Sequence, residues 1–415
     1  MKVKIKNLGM NGEGVAENYG KILFIPNCLP DEEVECEVVE DKKNYAICKL
    51  TKVLTLSPER AEPPCKYYNV CGGCDLQHMS KSTQLKFKQQ LIHNTLKKVA
   101  KIDIDVLPTI AADEQYFYRN KISLSVCGNK IGFKAKSSDE IVDICECMIA
   151  NKEINFAVKV LREFLSQNNI KSLRNIVIRN LESQTLIAMV CKQRENLTGL
   201  FNHLNNKLKN FGLFLVINKR NDSVVLTNNI YKIGGLTEIS LTTPIKMNLR
   251  LESFYQTNQF VQDKLYDHIL KQISEKEIVV NGYSGAGLLS AILAQKAKMV
   301  YGIEINKSAH LDAENLKKSN KIVNLSNVCG DFFENLKKIK KFNTVILDPS
   351  KKGCGEQVMQ KLIGVDKIIY VSCNPIALAK DLRVLDGKYK TTSVQPFDMF
   401  PNTINVETCV CLEKI

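Results

Sequence analysis

Short apolar runs alternate with helical stretches through the C-terminal part of the chain, and this alternation constrains the fold more than any other feature. The runs begin at residues 278, 299, 342 and 368, and each leads into a polar or glycine-containing loop and a helical stretch. Strands that alternate with helices predict a doubly wound α/β domain built on a parallel sheet. Since the carboxyl ends of such strands face the ligand crevice, side chains just past each strand are the candidates for chemistry.

The first of these strands runs into a glycine turn. Gly282, Gly285 and Gly287 follow the order G-x-x-G-x-G, which differs from the G-x-G-x-x-G of a dinucleotide fingerprint. The next strand ends in Glu304, an acidic residue suited to ribose hydroxyls. Both features favour S-adenosylmethionine over NAD, although a glycine turn by itself is also compatible with a plain strand-to-helix connection.

Three further side chains fall at predicted strand ends. Asp331 and Asp348 are placed to reach the adenine and the reacting centre, but aspartates also cap helices and start turns. Cys373 directly follows the apolar run that begins at residue 368. Its position suits a reactive thiol, while a small buried side chain is the alternative interpretation.

These residues belong to a set of motifs that resembles the RNA (uracil-C5)-methyltransferase family, of class I S-adenosylmethionine-dependent type. The matching segments are residues 254–258, 282–287, 302–304, 347–353, 371–375 and 398–407. The resemblance implies a Rossmann-like catalytic domain that uses S-adenosyl-L-methionine, with Cys373 as nucleophile and Glu407 as general base. It places the cofactor contacts at Gln256, Tyr283, Glu304, Asp331 and Asp348. Without the motif, Glu407 is simply an exposed strand carboxylate.

Uracil methylation explains why a thiol and a carboxylate are both needed. C5 of uracil is a weak nucleophile, but a thiolate that adds to C6 creates an enolate with electron density on C5. After methyl transfer C5 still carries a proton, which a base must remove before the thiolate leaves. The sequence departs from the usual family motifs at Asn281, Ser284, Ser350, Lys351 and Asn405.

A second constellation consists of Cys65, Cys71 and Cys74 in a short loop that contains two adjacent glycines. Three such thiols can converge on one centre, and the residues alone leave zinc and an iron-sulfur cluster equally open. The resemblance implies a [4Fe-4S] cluster whose fourth ligand is Cys147, with Cys145 as the alternative after a two-residue shift.

The N-terminal segment has short alternating apolar runs separated by turn signals, which predict a small antiparallel β-barrel. It resembles a TRAM domain, an RNA-binding barrel; a purely structural appendage is the alternative. The central region combines a helical stripe over residues 82–100 with alternating strands, which predicts an α+β domain. The family resemblance implies that this domain grips RNA. The predicted units are the barrel, the cysteine loop, the central domain and the methyltransferase domain, at residues 1–56, 57–80, 81–250 and 251–415.

The formal net charge of +14 favours a polyanionic partner, although lysine used for solubility also explains it. The 15 cysteines follow no apolar signal segment, so we expect reduced thiols and a cytoplasmic protein. No apolar stretch reaches the roughly 20 residues that span a bilayer, and we expect a soluble monomer.

Together these features predict an enzyme that flips a uridine out of folded RNA and methylates its C5. The barrel and the cysteine loop together resemble enzymes that act on 23S rRNA. A tRNA uridine-C5 methyltransferase is the first alternative, and a non-catalytic RNA-binding iron-sulfur protein on the same scaffold is the second.

Overall fold

The computed structural model describes residues 1–220, 222, 224–242 and 245–415. Within these residues no helix is both long enough and apolar enough to cross a membrane. The chain forms a strand-rich N-terminal barrel, a central sheet with helices and a C-terminal α/β domain, which confirms the predicted fold class.

The N-terminal strands form a closed barrel. They are β1 Lys2–Lys4, β2 Asn7–Leu8, β3 Gly14–Asn18, β4 Lys21–Ile25, β5 Glu33–Asp41 and β6 Tyr45–Thr55. The sheet order is β1-β5-β6-β4-β3-β2. The first segment closes the barrel because Ile5 N donates to Glu32 O (2.9 Å) and Lys6 N donates to Val15 O (2.8 Å). Pairing is antiparallel except between β4 and β6, which run parallel. Strand β6 lies between β4 and β5 in the sheet.

Helix α1 (Lys81–Thr95) continues into a π-helical turn at Leu96–Ala100. The buried side chains of both elements, including Ile92 and Leu96, join a core cluster of the C-terminal sheet. Residues 107–110 then extend along the edge of that sheet, where Leu107 N donates to Val394 O (3.0 Å). The structure thus packs residues 81–110 with the methyltransferase domain, whereas the division expected from sequence places them in the central unit.

The central region is a seven-stranded sheet of order β13-β12-β11-β10-β7-β8-β9. Its pairs are antiparallel except β11 with β12, and helices α2 and α3 contribute to one hydrophobic cluster beside it. A small hairpin, β14 with β15, leads into the last domain. The elements are β7 Lys121–Cys127, β8 Lys130–Lys134, β9 Ile141–Asp143, α2 Lys152–Leu165, β10 Leu173–Leu181, β11 Gln184–Cys191, α3 Thr198–Asn205, β12 Phe211–Ile217, β13 Ile230–Gly235, β14 Ile239–Leu241 and β15 Met247–Leu249.

The C-terminal domain is doubly wound, with sheet order β18-β17-β16-β19-β20-β22-β21. Strands β16 to β20 are parallel, and β22 runs antiparallel between β20 and β21. The elements are α4 Gln259–Lys271, β16 Ile278–Gly282, α5 Leu288–Ala294, β17 Met299–Glu304, α6 Lys307–Ser319, β18 Leu325–Cys329, α7 Phe332–Leu336, β19 Thr344–Leu347, α8 Glu356–Lys361, β20 Lys367–Ser372, α9 Pro375–Val384, β21 Tyr389–Phe397 and β22 Glu407–Lys414.

Candidate active site and cysteine loop

A cavity of about 1450 Å³ opens at the carboxyl ends of the parallel strands. It lies where the strand order reverses between β16 and β19, the place where open α/β sheets bind their ligands. The predicted site residues that line it are Gln256, Tyr283, Glu304, Asp348, Cys373 and Glu407. The structure therefore brings together residues that are far apart in the sequence.

The glycine turn after β16 holds the Glu304 carboxylate beside the cavity. Gly285 and Gly287 adopt positive φ angles of 55° and 84°, which glycine tolerates without steric cost. Gly285 N donates to Glu304 Oε2 (2.9 Å), and Asn306 N donates to Oε1 (2.7 Å). Each carboxylate oxygen can accept a second hydrogen bond, so Glu304 is fixed in place and still able to accept from a hydroxyl.

Asp331 has a different place. It is the N-cap of α7, where its Oδ1 accepts from Glu334 N (3.1 Å), and it is not among the residues that line the cavity. The sequence left helix capping open as an alternative role for Asp331, and in the structure its side chain caps α7.

Local sequence explains how Cys373 comes to lie at the strand end. Asn374 caps α9, with its Oδ1 accepting from Ile376 N (3.1 Å), and Pro375 occupies the first helical turn. This leaves Cys373 half-buried between β20 and the helix, facing the cavity. Asn374 Nδ2 also donates to the carbonyl of Lys351 (2.8 Å), which ties the Asp348 loop to the cysteine.

Three acidic groups lie together in this corner of the cavity, beside the exposed Lys351. Burial and, after it, the Glu407 carboxylate raise the pKa of Cys373 to about 11, while Lys351 opposes the rise. The pKa of Glu407, which is 3% exposed, is also raised, first by burial and then by Asp348. Burial raises the pKa of Asp348 itself to about 7. Lys351, noted from sequence only as a departure from the motif, therefore favours the anionic forms of both Cys373 and Glu407.

A carboxylate on α9 fixes the loop that carries Lys351. Asp381 accepts from the backbone N–H groups of Cys354 (2.7 Å) and Gly355 (3.1 Å) and from the Tyr370 hydroxyl (2.5 Å). Sequence reasoning missed Asp381, because an aspartate within a helical pattern gives no local signal of a partner on another loop.

Helix α1 holds the segment that leads to Glu407. Lys88 Nζ lies 2.5 Å from Asp398 Oδ1, and both side chains are buried. Gln84 accepts from Asn402 N (2.9 Å) and donates to the Asn402 side chain (3.2 Å). A helix more than 300 residues away in sequence thus positions the approach to β22.

The three thiols of the cysteine loop and Cys147 lie close enough to interact. Burial and, after it, the nearby Cys147, Cys71 and Cys65 thiols raise the pKa of Cys74 to about 12. Cys145 is exposed and is not among the groups that act on Cys74.

Backbone N–H groups near two of these sulfurs oppose the rise of the thiol pKa. Gly73 does so for Cys71, and Ile149 and Ala150 do so for Cys147. Groups that favour the thiolate form fit a soft metal centre.

The same loop contacts the segment that precedes Glu407. The backbone N–H groups of Asp75 and Leu76 both donate to the carbonyl of Asn402, at 2.9 and 3.0 Å. Tyr118 Oη donates to the Pro401 carbonyl (3.0 Å). The cysteine loop and the catalytic pocket are therefore joined through residues 401–402.

Comparison with known families decides what scaffold this is. A family model described as tRNA (Uracil-5-)-methyltransferase matches residues 80–415, and a TRAM domain model matches residues 1–51. The chain belongs to the tRNA (uracil-5-)-methyltransferase family. It is an S-adenosylmethionine-dependent RNA methyltransferase with an N-terminal TRAM domain, which confirms the resemblance inferred from sequence.

Relatives of the methyltransferase match over nearly its whole length. An uncharacterized RNA methyltransferase of Clostridium tetani is 34% identical, over 98% of this chain and 95% of its own. A second, from Halalkalibacterium halodurans, is 34% identical over 100% of this chain and 96% of its own. The solved Pyrococcus abyssi tRNA (uracil-54, C5)-methyltransferase, in complex with S-adenosyl-L-homocysteine, aligns with a TM-score of 0.80 and 27% identity over 99% of both chains.

Proposed function

We propose that this methyltransferase transfers a methyl group to C5 of a uridine in RNA through a covalent bond between Cys373 and C6 of the base. The observation that supports this is the meeting of Cys373, Glu407 and Asp348 in one cavity, with Lys351 as a nearby positive charge. A reactive thiol, a buried carboxylate and a nearby positive charge are the groups that the reaction needs.

The residues act in a defined order in this proposal. The Cys373 thiolate adds to C6 and pushes electron density to C5, which then takes the methyl group. Glu407 next removes the proton from C5, and the sulfur–C6 bond breaks to release the thiolate. S-adenosylmethionine supplies the methyl group and carries the positive charge of a sulfonium. The raised pKa of Glu407 makes its carboxylate a stronger base once it is ionised.

For the cofactor we propose contacts by residues on five segments of the chain. Glu304 accepts from the ribose hydroxyls, because its two oxygens are already oriented by backbone N–H groups. Gln256, Tyr283 and Asp348 surround the remaining cavity. Asp331 uses Oδ1 as a helix cap, and its other oxygen is the one proposed to accept from the adenine amino group.

Substitution of the two proposed catalytic residues tests the chemistry. Cys373→Ala abolishes methylation in this scheme, whereas Glu407→Gln accumulates an RNA–protein adduct that survives denaturing electrophoresis. Tritium release from RNA containing C5-labelled uridine measures the turnover. Cys329→Ala and Glu413→Gln, which alter exposed residues of the same two types, are the matched controls. An active Cys373→Ala enzyme would refute the covalent mechanism, and a folded, RNA-binding wild type without tritium release would support a non-catalytic protein.

We also propose that Cys65, Cys71, Cys74 and Cys147 bind a [4Fe-4S] cluster. The support is the mutual proximity of these thiols and the backbone N–H groups that favour the thiolate forms of Cys71 and Cys147. Protein purified under strict anaerobiosis should contain iron and sulfide and absorb in the visible range. Cys147→Ser should lose the iron and Cys145→Ser should keep it, while a colourless zinc-containing protein would overturn the proposal.

The proposed target is 23S rRNA, with the enzyme acting as a monomer. It is supported by the resemblance of the barrel and cysteine loop to large-subunit enzymes. tRNA is the second candidate, since the aligned Pyrococcus abyssi structure is titled a tRNA enzyme. Because that alignment covers 99% of both chains, the barrel alone does not distinguish the two targets. Mass-spectrometric mapping of 5-methyluridine in both RNAs from a deletion strain separates them, because only the true target loses its modification.

A further inference from the structure

A group of metal-ligating side chains lies outside the active site and the cysteine loop. Cys409 and Cys411 are alternate residues of β22, so their side chains point to the same face of the sheet. Helix α4 packs on that face and contributes His268. The two thiol sulfurs and one imidazole nitrogen all lie within 4.8 Å of one another.

The surroundings of this cluster contain buried polar atoms without partners. His268 Nε2 and Ser393 Oγ have no hydrogen-bond partner in the described part of the chain, although both atoms are buried. Ser393 lies directly across from Cys411 in the β21–β22 pairing. A buried polar atom without a partner costs free energy, and a ligand bound beside these thiols would supply a partner to both atoms.

We propose that Cys409, Cys411 and His268 bind a Zn²⁺ ion. Two thiolates and an imidazole are a donor set that zinc prefers. In a tetrahedral zinc site neighbouring ligand atoms are about 3.5–3.8 Å apart, so the three side chains need to close by only about 1 Å. The fourth position is filled by a water that hydrogen-bonds to Ser393.

The geometry of His268 suits this role. Its ring packs edge-on against Phe397, with ring centroids 5.6 Å apart and an interplanar angle of 75°. This contact restricts the rotation of the imidazole, as the supporting residues of a metal ligand do. His268 is only half-buried, whereas both cysteines are buried, so an ion reaches the site from the helix side.

The proposed ion has a structural consequence. β22 begins at Glu407, two residues before Cys409, and α4 begins just after the segment that contains Gln256. Zinc at this position ties the helix to the strand and so links two elements that flank the catalytic cavity. The proposal concerns stability and does not depend on the methylation chemistry.

Metal titration of the full chain tests the site. The cysteine loop must first be excluded as a zinc ligand, so the protein is used with its iron-sulfur cluster loaded, or with Cys65 and Cys71 both changed to serine. Cobalt(II) serves as the spectroscopic probe because thiolate-bound cobalt has a charge-transfer absorption, and zinc is then added to displace it. We expect one equivalent of cobalt to give this band and one equivalent of zinc to remove it.

The variants separate this site from any other. Cys411→Ser should abolish the charge-transfer band, and His268→Ala, a change on a half-buried helix position, should weaken cobalt binding at least tenfold. Cys191→Ser, which alters a buried thiol of the central sheet, should leave the titration unchanged. Zinc should raise the melting temperature of the wild type but not that of His268→Ala. Equal metal stoichiometry and affinity in wild type and His268→Ala would overturn the proposal, even if Cys411→Ser fails to fold.

Discussion

The ion pair between Lys88 and Asp398 leads to a quantitative prediction about stability. Lys88 Nζ contacts Asp398 Oδ1 at 2.5 Å and donates to the Phe400 carbonyl at 2.9 Å. The two side chains are 0% and 1% exposed. Asp398 Oδ2 is buried and has no partner among the described residues, so Lys88 is the group that balances this carboxylate. Lys88→Met keeps most of the side-chain volume and removes the charge.

The loss of stability in Lys88→Met should depend on pH. Breaking a buried ion pair costs about 3–5 kcal/mol, because the remaining charge is unpaired. The unpaired carboxyl can instead take up a proton. For an aspartate of ordinary pKa, about 3.9, protonation costs about 4 kcal/mol at pH 7 and about 2 kcal/mol at pH 5.5. The stability deficit of Lys88→Met relative to the wild type should therefore be smallest near pH 4 and grow by about 1.4 kcal/mol for each pH unit above that.

Urea unfolding of the full chain at pH 5.5 and pH 7, followed by far-ultraviolet circular dichroism, measures the effect. The difference between wild type and Lys88→Met should be about 2 kcal/mol larger at pH 7 than at pH 5.5. Lys86→Met, at an exposed position of the same helix, should change stability by less than about 0.5 kcal/mol. Asp398→Asn added to Lys88→Met should remove the pH dependence. Equal destabilisation of Lys88→Met at both pH values would refute the reasoning.

Two further predictions concern the loop at residues 349–355. Lys351→Met removes the cation that opposes the raised pKa of Cys373. Because Lys351 is exposed and its charge is screened by solvent, we expect the pKa of Cys373 to rise by only about 0.5–1 unit. The value of kcat/KM at pH 7.5 should then fall about three- to tenfold and recover at higher pH. Lys351→Arg keeps the charge and should match the wild type. Asp381→Asn weakens the anchor of the loop, so kcat should fall about tenfold with no change in its pH profile. Asp386→Asn alters an exposed aspartate just past the end of the same helix and should leave kcat unchanged.

The sequence by itself predicted the elements of the catalytic domain and placed the proposed reactive groups at strand ends. Alternation of apolar runs with glycine and polar loops identified the parallel strands, because strand period and turn chemistry are encoded within a few residues. The apolar run that begins at residue 368 placed Cys373 at a strand end, and the structure shows that Asn374 and Pro375 start the next helix. The helical stripe over residues 82–100 likewise corresponds to α1 and its π-helical turn.

Tertiary structure decided which of these elements meet. A helical stripe shows that one face of α1 is buried but not which sheet covers it, and only the fold shows that Lys88 pairs with Asp398. The fold alone also shows that Asp381 binds backbone groups of another loop. Without the motif, the sequence would leave Glu407 exposed, whereas the structure buries it. Asp331 is the converse case, a strand-end aspartate whose side chain caps a helix. Local patterns fix the period and ends of an element, whereas charge pairing and burial depend on contacts between residues that are distant along the chain.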